Sequence, residues 1–139
     1  MKKISNADLG RISIDEFKKT AKTPLIIILD DIRSLNNIGS VVRTSDAFKI
    51  KKIYLCGITA KPPHREIQKT ALEATQTVDW MHFATTTEAI HELKKNNYKI
   101  AAIEQTENST MLNNFSLDKT DRLAVIFGNE VKGVEQDAI

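Results

Sequence analysis

The stretch PLIIILDDIRSLNNIG, residues 24–39, determines the fold class of this chain. It begins with an apolar run from Leu25 to Leu29 without polar alternation, which is typical of a strand buried on both faces. It ends in Asn37 and Gly39, which predict the start of a helix over 39–48 with Asn37 as its N-cap. A buried strand that leads directly into a helix indicates an α/β fold with a parallel sheet.

The same alternation continues along the chain and predicts an order of β-α-β-α-β-α-β-β. We expect a mostly parallel sheet flanked by helices, with residues 24–32 as a central strand. Thr85 and Glu88 suit a capping box at the start of the last helix. The further predicted strands are 53–56, 78–83 (the weakest), 100–103 and 123–127, and the further predicted helices are 64–75 and 86–97.

Length and composition indicate one domain of an ordinary globular protein, with 139 residues, 41% hydrophobic and 27% charged. We expect a basic leader over 1–23 and a domain over 24–139. No apolar run is long enough to cross a bilayer, and no hydrophobic stretch follows the charged N-terminus as in a secretory signal. The single cysteine, Cys56, excludes an internal disulfide, and the three histidines lack metal-ligand spacing. These features predict a cytoplasmic protein without a metal and without a membrane partner.

Charge is distributed unevenly, although the net charge is only +2. Between residues 43 and 69 the acids are Asp46 and Glu66 alone, whereas residues 104–139 contain seven acids and three bases. This asymmetry favours a basic face for a polyanion, and an ordinary solvated surface is the alternative. The bases in this segment are Arg43, Lys49, Lys51, Lys52, Lys61, Arg65 and Lys69.

The loop after the first strand is one candidate site, because ligands of open α/β sheets bind at the carboxyl ends of strands. Gly39 leaves room for a ligand or for another backbone. Arg43 falls on the side of the helical wheel opposite a more apolar cluster and is therefore free to meet solvent or a ligand. That cluster consists of Val41, Ser45 and Phe48. The alternative is a cap, a small packing residue and a surface arginine.

The loop VIFGNEVKGV, residues 125–134, is the second candidate site. Gly128, Asn129 and Glu130 follow a buried strand, and Gly133 lies in a helix-like start. The spacing is neither a dinucleotide fingerprint nor a P-loop. An acidic residue here suits a ligand with hydroxyls, an amine or a positive centre better than a phosphate. The alternative is a tight turn in which Glu130 caps a helix.

Together the two loops resemble the SpoU/TrmH family of RNA 2′-O-ribose methyltransferases, which belong to the SPOUT, or α/β-knot, class. The resemblance covers residues 24–139. The first family motif, Asn-x-Gly-x-x-x-Arg, is matched by Asn37, Gly39 and Arg43. The second, Gly-Asn-Glu with a further glycine, is matched by Gly128, Asn129, Glu130 and Gly133.

The resemblance implies an enzyme that moves a methyl group from S-adenosylmethionine to a ribose 2′-hydroxyl of tRNA or rRNA. It also implies a homodimer that needs no metal. The third family motif, a Ser-Leu-Asn-Val-Ser-like run, is absent from residues 1–139. In the family that segment forms the trefoil knot and much of the cofactor pocket, so we expect residues 1–139 alone to bind the cofactor poorly.

The resemblance also implies residue roles. A guanidinium stays protonated and is therefore a poor base. Arg43 would instead bind the phosphate beside the reacting ribose and lower the pKa of the hydroxyl electrostatically. Asn37 would orient the ribose or Arg43, and Glu130 would hold either of them. The implied cofactor residues are Ile103, Glu104, Gln105, Gly128, Asn129 and Glu130, and the implied RNA-binding residues are Arg43, Lys49, Lys61 and Arg65.

Two other function classes remain open from the sequence. A catalytically silent RNA-binding relative would keep the fold and lose the chemistry, although the intact Asn37–Arg43 set argues against it. A dinucleotide-binding α/β enzyme would need the glycine fingerprint that this chain lacks. The sequence leaves open which RNA and which nucleotide would be methylated.

Overall fold

The computed structural model describes residues 1–139 and is built around a five-stranded parallel sheet. The strand order is β3-β2-β1-β5-β4, so β1 occupies the centre. The strands are β1 (Thr23–Asp30), β2 (Ile50–Cys56), β3 (Trp80–Phe83), β4 (Tyr98–Ile103) and β5 (Arg122–Phe127). The α-helices are α1 (Ile14–Lys19), α2 (Leu35–Ala47), α3 (Arg65–Ala71), α4 (Ala74–Thr77) and α5 (Thr86–Lys95), and short 3-10 turns lie at Asn6–Leu9, Leu112–Asn114 and Gln136–Ala138.

The predicted fold class is confirmed, because every strand pair is parallel and helices cover the sheet. The predicted central strand and the weakly predicted strand are both present, as β1 and β3. Strands buried on both faces read as continuous apolar runs, which is why the sequence revealed them. The knot-forming segment is not among residues 1–139, so the knot stays a prediction of the resemblance.

The sheet has a separate apolar core on each face. On one face α2, α3 and α4 pack over Ile27, Leu29, Ile53 and Leu55. On the other face α5 packs over a cluster that includes Ile26, Ile28, Tyr54, Tyr98 and Ile126. Two covered faces are the usual arrangement of a parallel sheet, and they leave its carboxyl edge to the loops.

Helix α2 begins four residues earlier than predicted. Ser34 is the N-cap, and its hydroxyl accepts a hydrogen bond of 3.2 Å from the Asn37 amide. The prediction of Asn37 as N-cap is therefore wrong, and its side chain is left available for another partner. Gly39 is needed for helix packing, since a Cβ there would lie 2.0 Å from Thr70 Oγ1 and 2.4 Å from the Ile67 carbonyl oxygen of α3.

Two further helix predictions are wrong in detail. The predicted helix 64–75 is divided into α3 and α4, because Leu72 adopts φ 54° and ψ −128° and ends α3. The predicted helix-like start around Gly133 is a closed turn, in which the main chains of Asn129 and Gly133 pair with each other at 2.9 Å in both directions. At α5 half of the predicted capping box is present: the Thr85 hydroxyl accepts from the Glu88 amide at 3.2 Å, but the Glu88 side chain does not bond back to the Thr85 amide.

The N-terminal segment contributes little to either core. Neither the turn Asn6–Leu9 nor α1 contains a buried residue. Helix α1 is stabilised locally by a capping box, in which Glu16 accepts from the Ser13 amide at 2.8 Å and Ser13 accepts from the Glu16 amide. None of the helices has the length and apolar character needed to span a membrane.

Candidate functional site

Three loops meet at the carboxyl edge of the sheet, and they carry most of the predicted site residues. They follow β1, β4 and β5, which are adjacent in the order β1-β5-β4. This edge is where open parallel sheets bind ligands, because the strand ends and helix N-termini leave main-chain groups accessible there. We call this arrangement the three-loop site: residues 31–37, 103–105 and 128–135.

Glu130 connects the first and third loops of this site. Its carboxylate accepts hydrogen bonds from the Arg33 amide at 3.0 Å, from the Ser34 amide at 2.9 Å and from the Asn37 side-chain amide at 3.1 Å. Burial alone would raise the pKa of Glu130, but the main-chain and Asn37 donors lower it to about 2. Glu130 therefore stays ionised at the N-terminus of α2, where its negative charge interacts favourably with the positive end of the helix dipole.

The Asn129 side chain connects the third loop to the first by a hydrogen bond to the main chain. Its Nδ2 donates to the Asp31 carbonyl oxygen at 2.7 Å, and its Oδ1 accepts from the Val131 and Lys132 amides at 3.0 Å each. Its oxygen and one of its two N–H groups are thus engaged by the main chain, and these bonds shape the turn around Glu130.

Glu104 connects the second and third loops. Its carboxylate accepts from the Gln105 amide and from the Val134 amide, each at 2.8 Å, and these two bonds lower its pKa. Gly133 has φ 73°, and a Cβ there would lie 2.1 Å from Glu104 Oε2. The loop that begins with the predicted cofactor-binding residues 128–130 is therefore a neighbour of the other predicted cofactor segment, 103–105, through Gly133 and Val134.

A pair of exposed apolar side chains lies beside these loops. Ile103 and Phe127 are register partners at the ends of β4 and β5, and they are 50% and 39% exposed. A flat apolar ligand would gain from covering them, since apolar surface removed from water contributes about 25 cal/mol per Å². Cys56 is buried at the end of β2, and burial raises the pKa of its thiol to about 12, which leaves it unreactive.

Two acidic residues at the end of β1 were missed by the sequence reasoning. Asp30 is buried and accepts from the Thr86 hydroxyl of α5 and from the Glu135 amide, the latter at 2.8 Å. Asp31 accepts from the Ile58 amide at 2.9 Å. Through these bonds the two aspartates connect the end of β1 to the loop after β2, to the start of α5 and to the end of the third loop. An acid pair directly after a buried strand was the signal that could have revealed them.

Arg43 lies away from the cluster around Glu130. It is exposed on α2, six residues after Asn37, which places it about 9 Å further along the helix axis and about 120° around it. The ion pairs of residues 1–139 are Lys69–Glu66 and Lys99–Asp121, so the Arg43 guanidinium has no carboxylate partner. The helical-wheel prediction that Arg43 faces outward is consistent with this placement.

The cluster predicted opposite Arg43 does not belong to the core as a whole. Ser45 is buried, but Phe48 is 67% exposed and lines an apolar groove of about 410 Å³ together with Val41, Leu25 and Phe127. The buried side of α2 is formed by Ile38, Gly39, Val42 and Ser45.

The remaining predicted RNA-binding residues are distributed over two edges of the sheet. Lys61 and Arg65 are exposed in the connection between β2 and α3, which begins at the carboxyl edge. Lys49 is exposed between α2 and β2 and therefore lies at the amino edge. Residues 1–139 contain no group of three or more His, Cys, Asp or Glu side chains arranged to hold a metal ion.

Comparison with known families gives a consistent result. The family model of the SpoU rRNA methylase family matches residues 24–139. A Staphylococcus epidermidis protein assigned to the TrmH family of tRNA/rRNA methyltransferases is 28% identical over 128 residues, which cover 89% of this chain and 50% of that protein. The Staphylococcus haemolyticus counterpart is 27% identical over 80% of this chain and 43% of its own length. The chain spans about half the length of these relatives.

Solved structures show the same fold. The A. aeolicus TrmH/SpoU tRNA modifying enzyme has a TM-score of 0.73 at 21% identity, with 89% of this chain and 61% of that chain covered. An AdoMet-bound rRNA methyltransferase from Sinorhizobium meliloti has a TM-score of 0.74 at 21% identity over 87% and 46%. The fold, a parallel sheet flanked by helices, matches that of SPOUT methyltransferase structures. The chain belongs to the SpoU methylase family, which confirms the resemblance read from its two motifs.

Proposed function

We propose that this chain carries out RNA 2′-O-methylation, moving a methyl group from S-adenosylmethionine to a ribose hydroxyl of tRNA or rRNA. The observation that carries the proposal is the Glu130 carboxylate, which joins the two family motifs through Arg33, Ser34 and Asn37. In this proposal residues 24–139 are the methyltransferase domain, residues 1–23 are a leader outside it, and the protein acts in the cytoplasm as a homodimer.

The residues of the three-loop site fit S-adenosylmethionine chemically. Ile103 and Phe127 offer exposed apolar surface to an adenine ring, and Gln105 follows them on the same edge. Ionised Glu130 lies on the adjacent loop and favours a positive centre. The main chain from Gly128 to Glu130 would form the wall between them. When bound, the cofactor would supply a methyl group carried on a sulfonium sulfur. This methyl group would be transferred to the ribose oxygen, and the sulfur would remain as a thioether.

Each polar residue of the site has a defined task in this proposal. Asn37 is held by Glu130 through its Nδ2, so its side-chain oxygen has a fixed direction in which to accept a hydrogen bond from ribose. Arg43 carries an unpaired guanidinium and binds the phosphate beside the reacting ribose. Its charge stabilises the oxyanion that develops as the hydroxyl gives its proton to solvent water.

The RNA would approach across the outer surface of α2 and the connection after β2. Arg43, Lys61 and Arg65 are exposed along this approach, and phosphate contacts of this kind supply most of the non-specific affinity for RNA. Lys49 lies at the other edge and would contact a more distant part of the same RNA.

The test is transfer of tritium from S-adenosylmethionine to bulk RNA from cells that lack the protein. The full-length protein is expected to label this RNA, and Asn37→Ala is expected to reduce the labelling strongly. Asn114→Ala, the same change at an exposed asparagine outside the site, is the matched control and should keep the rate. Cofactor binding without any labelling would instead identify the catalytically silent relative.

A further inference from the structure

A cluster of basic side chains lies at the amino edge of the sheet, which is the edge opposite to the three-loop site. A cavity of about 210 Å³ opens beneath the last turn of α5. Lys51, Lys52, Tyr98 and Arg122 line it, and we call it the amino-edge pocket. Neither family motif includes any of these residues.

Strand register places three of these side chains on one face of the sheet. Tyr98 and Arg122 are partners across β4 and β5, and Lys52 is the partner of Ile26 across β1 and β2. Ile26 therefore forms the floor between the lysine and the arginine. Lys51 closes the rim, because its Nζ donates to the Tyr98 hydroxyl at 3.1 Å and lies 5.8 Å from the centre of the ring.

The three cations of the pocket have no carboxylate partner. The two ion pairs of residues 1–139 are both elsewhere. Asp121 precedes Arg122, but it pairs with Lys99 at 2.6 Å. Glu92 of α5 accepts from the Asn96 side chain and pairs with no lysine. Lys52 Nζ contacts Met81 Sδ at 3.7 Å, so none of the three cations is ion-paired and an anion between them would be stabilised.

The end of α5 does not account for these cations. Basic residues often lie near a helix C-terminus to satisfy its last carbonyl groups. Here the Glu92 carbonyl accepts from Asn96 Nδ2 at 2.8 Å, and the Leu93 and Lys94 carbonyls accept from the Asn96 and Asn97 amides. The carbonyls above the pocket are thus already paired, which leaves the cations available to a ligand.

We propose that the amino-edge pocket binds the phosphate group of a small ligand, either free phosphate or a phosphomonoester. Lysine, arginine and a tyrosine hydroxyl are the donors that phosphate oxygens prefer. The cavity is smaller than the roughly 300 Å³ at which sites for drug-sized ligands begin. It also lies on the α5 face, whereas Arg43 lies on the α2 face, so an RNA held at Arg43 would have to pass around the sheet to reach it.

The proposal goes beyond methyl transfer and is tested without it. Amide NMR spectra of the full-length protein are recorded at constant ionic strength with inorganic phosphate, with ribose 5-phosphate, or with an RNA oligonucleotide that lacks terminal phosphates. The two phosphates are expected to give saturable shifts at Lys51, Tyr98 and Arg122. A higher affinity for ribose 5-phosphate than for inorganic phosphate would identify a phosphomonoester as the ligand. Equal affinities would show that the phosphate group alone is recognised and would identify free phosphate.

Variants separate a built site from general positive charge. Lys51→Gln should weaken phosphate binding about tenfold, because it removes a charged donor. The double change Lys2→Gln and Lys3→Gln in the exposed N-terminal segment should leave the affinity unchanged. Absence of saturable shifts, equal loss in the control, or stronger shifts at these amides with the RNA oligonucleotide would each overturn the proposal.

Discussion

The side-chain amide of Asn37 donates a hydrogen bond of 3.1 Å to the carboxylate of Glu130, although 93 residues separate them along the chain. The same carboxylate accepts hydrogen bonds from the main-chain amides of Arg33 and Ser34 at the start of α2. A single anion thus fixes the position of the first motif and the start of its helix. In the function proposed above, this relationship holds Asn37 ready for the ribose.

Glu130→Gln should weaken this connection in a pH-dependent way. The pKa of Glu130 is lowered from 4.5 to about 2, so its ionised form stabilises the fold fully above pH 4.5, and this contribution is lost as the pH falls toward 2. The difference in unfolding free energy between wild type and variant, from urea titrations, should therefore be largest near neutral pH and shrink on acidification. A difference that stays constant over this range would show that Glu130 does not act through its charge.

Gly39→Ala tests whether the first-motif glycine serves helix packing. Alanine is the better helix former by about 1 kcal/mol, so an open position would gain stability. At Gly39 the new Cβ would meet the Ile67 carbonyl at 2.4 Å, and overpacking of this kind costs about 1–3 kcal/mol. Thermal unfolding should show a loss for Gly39→Ala and little change for the exposed neighbour Ser40→Ala. A higher unfolding temperature for Gly39→Ala than for the wild type would contradict the close packing of α2 against α3.

Arg43 provides the sharpest test of the proposed chemistry. Arg43→Ala should lower the methyl-transfer rate about a hundredfold or more and leave cofactor affinity nearly unchanged. Its exposure predicts a stability change within about 0.5 kcal/mol. Arg43→Lys keeps the charge and loses the planar fork, so little rescue would show that the fork holds phosphate. Wild-type rates in Arg43→Ala would make Arg43 an ordinary surface arginine, and Arg11→Ala serves as the control.

The full-length protein should sediment as a dimer at micromolar concentration. This expectation rests on the family to which the chain belongs. The exposed Phe48 in the groove beside α2 is apolar surface of the kind that a partner covers. A monomer across the micromolar range in analytical ultracentrifugation would contradict the homodimer.

Much of the fold could be predicted because the informative signals are local. Apolar runs without alternation located β1, β2, β4 and β5, and the weaker run located β3. Helix starts were less certain, since Ser34 and Asn37 are both good N-caps and only the structure shows that Ser34 takes that place. The break between α3 and α4 falls at Leu72, which adopts φ 54°, and no glycine or proline marks it in the sequence.

The site could be predicted in part. The two motifs identified Asn37, Glu130 and the neighbouring loops, and the expected contact between Glu130 and Asn37 is present. The partners at Arg33 and Ser34 are main-chain amides, which leave no signature in a sequence. The amino-edge pocket was also beyond prediction, because Lys51, Tyr98 and Arg122 come from three strands that only the sheet order brings together.

The most direct measurement is the chemical identity of the methylated product. RNA from cells that lack the protein is incubated with the full-length protein and labelled S-adenosylmethionine, digested to nucleosides and analysed by mass spectrometry. The account predicts that the added methyl group is carried on ribose, as a 2′-O-methyl nucleoside, and that this product disappears with Arg43→Ala. A methyl group on a base, or a ribose product that persists in Arg43→Ala, would contradict it.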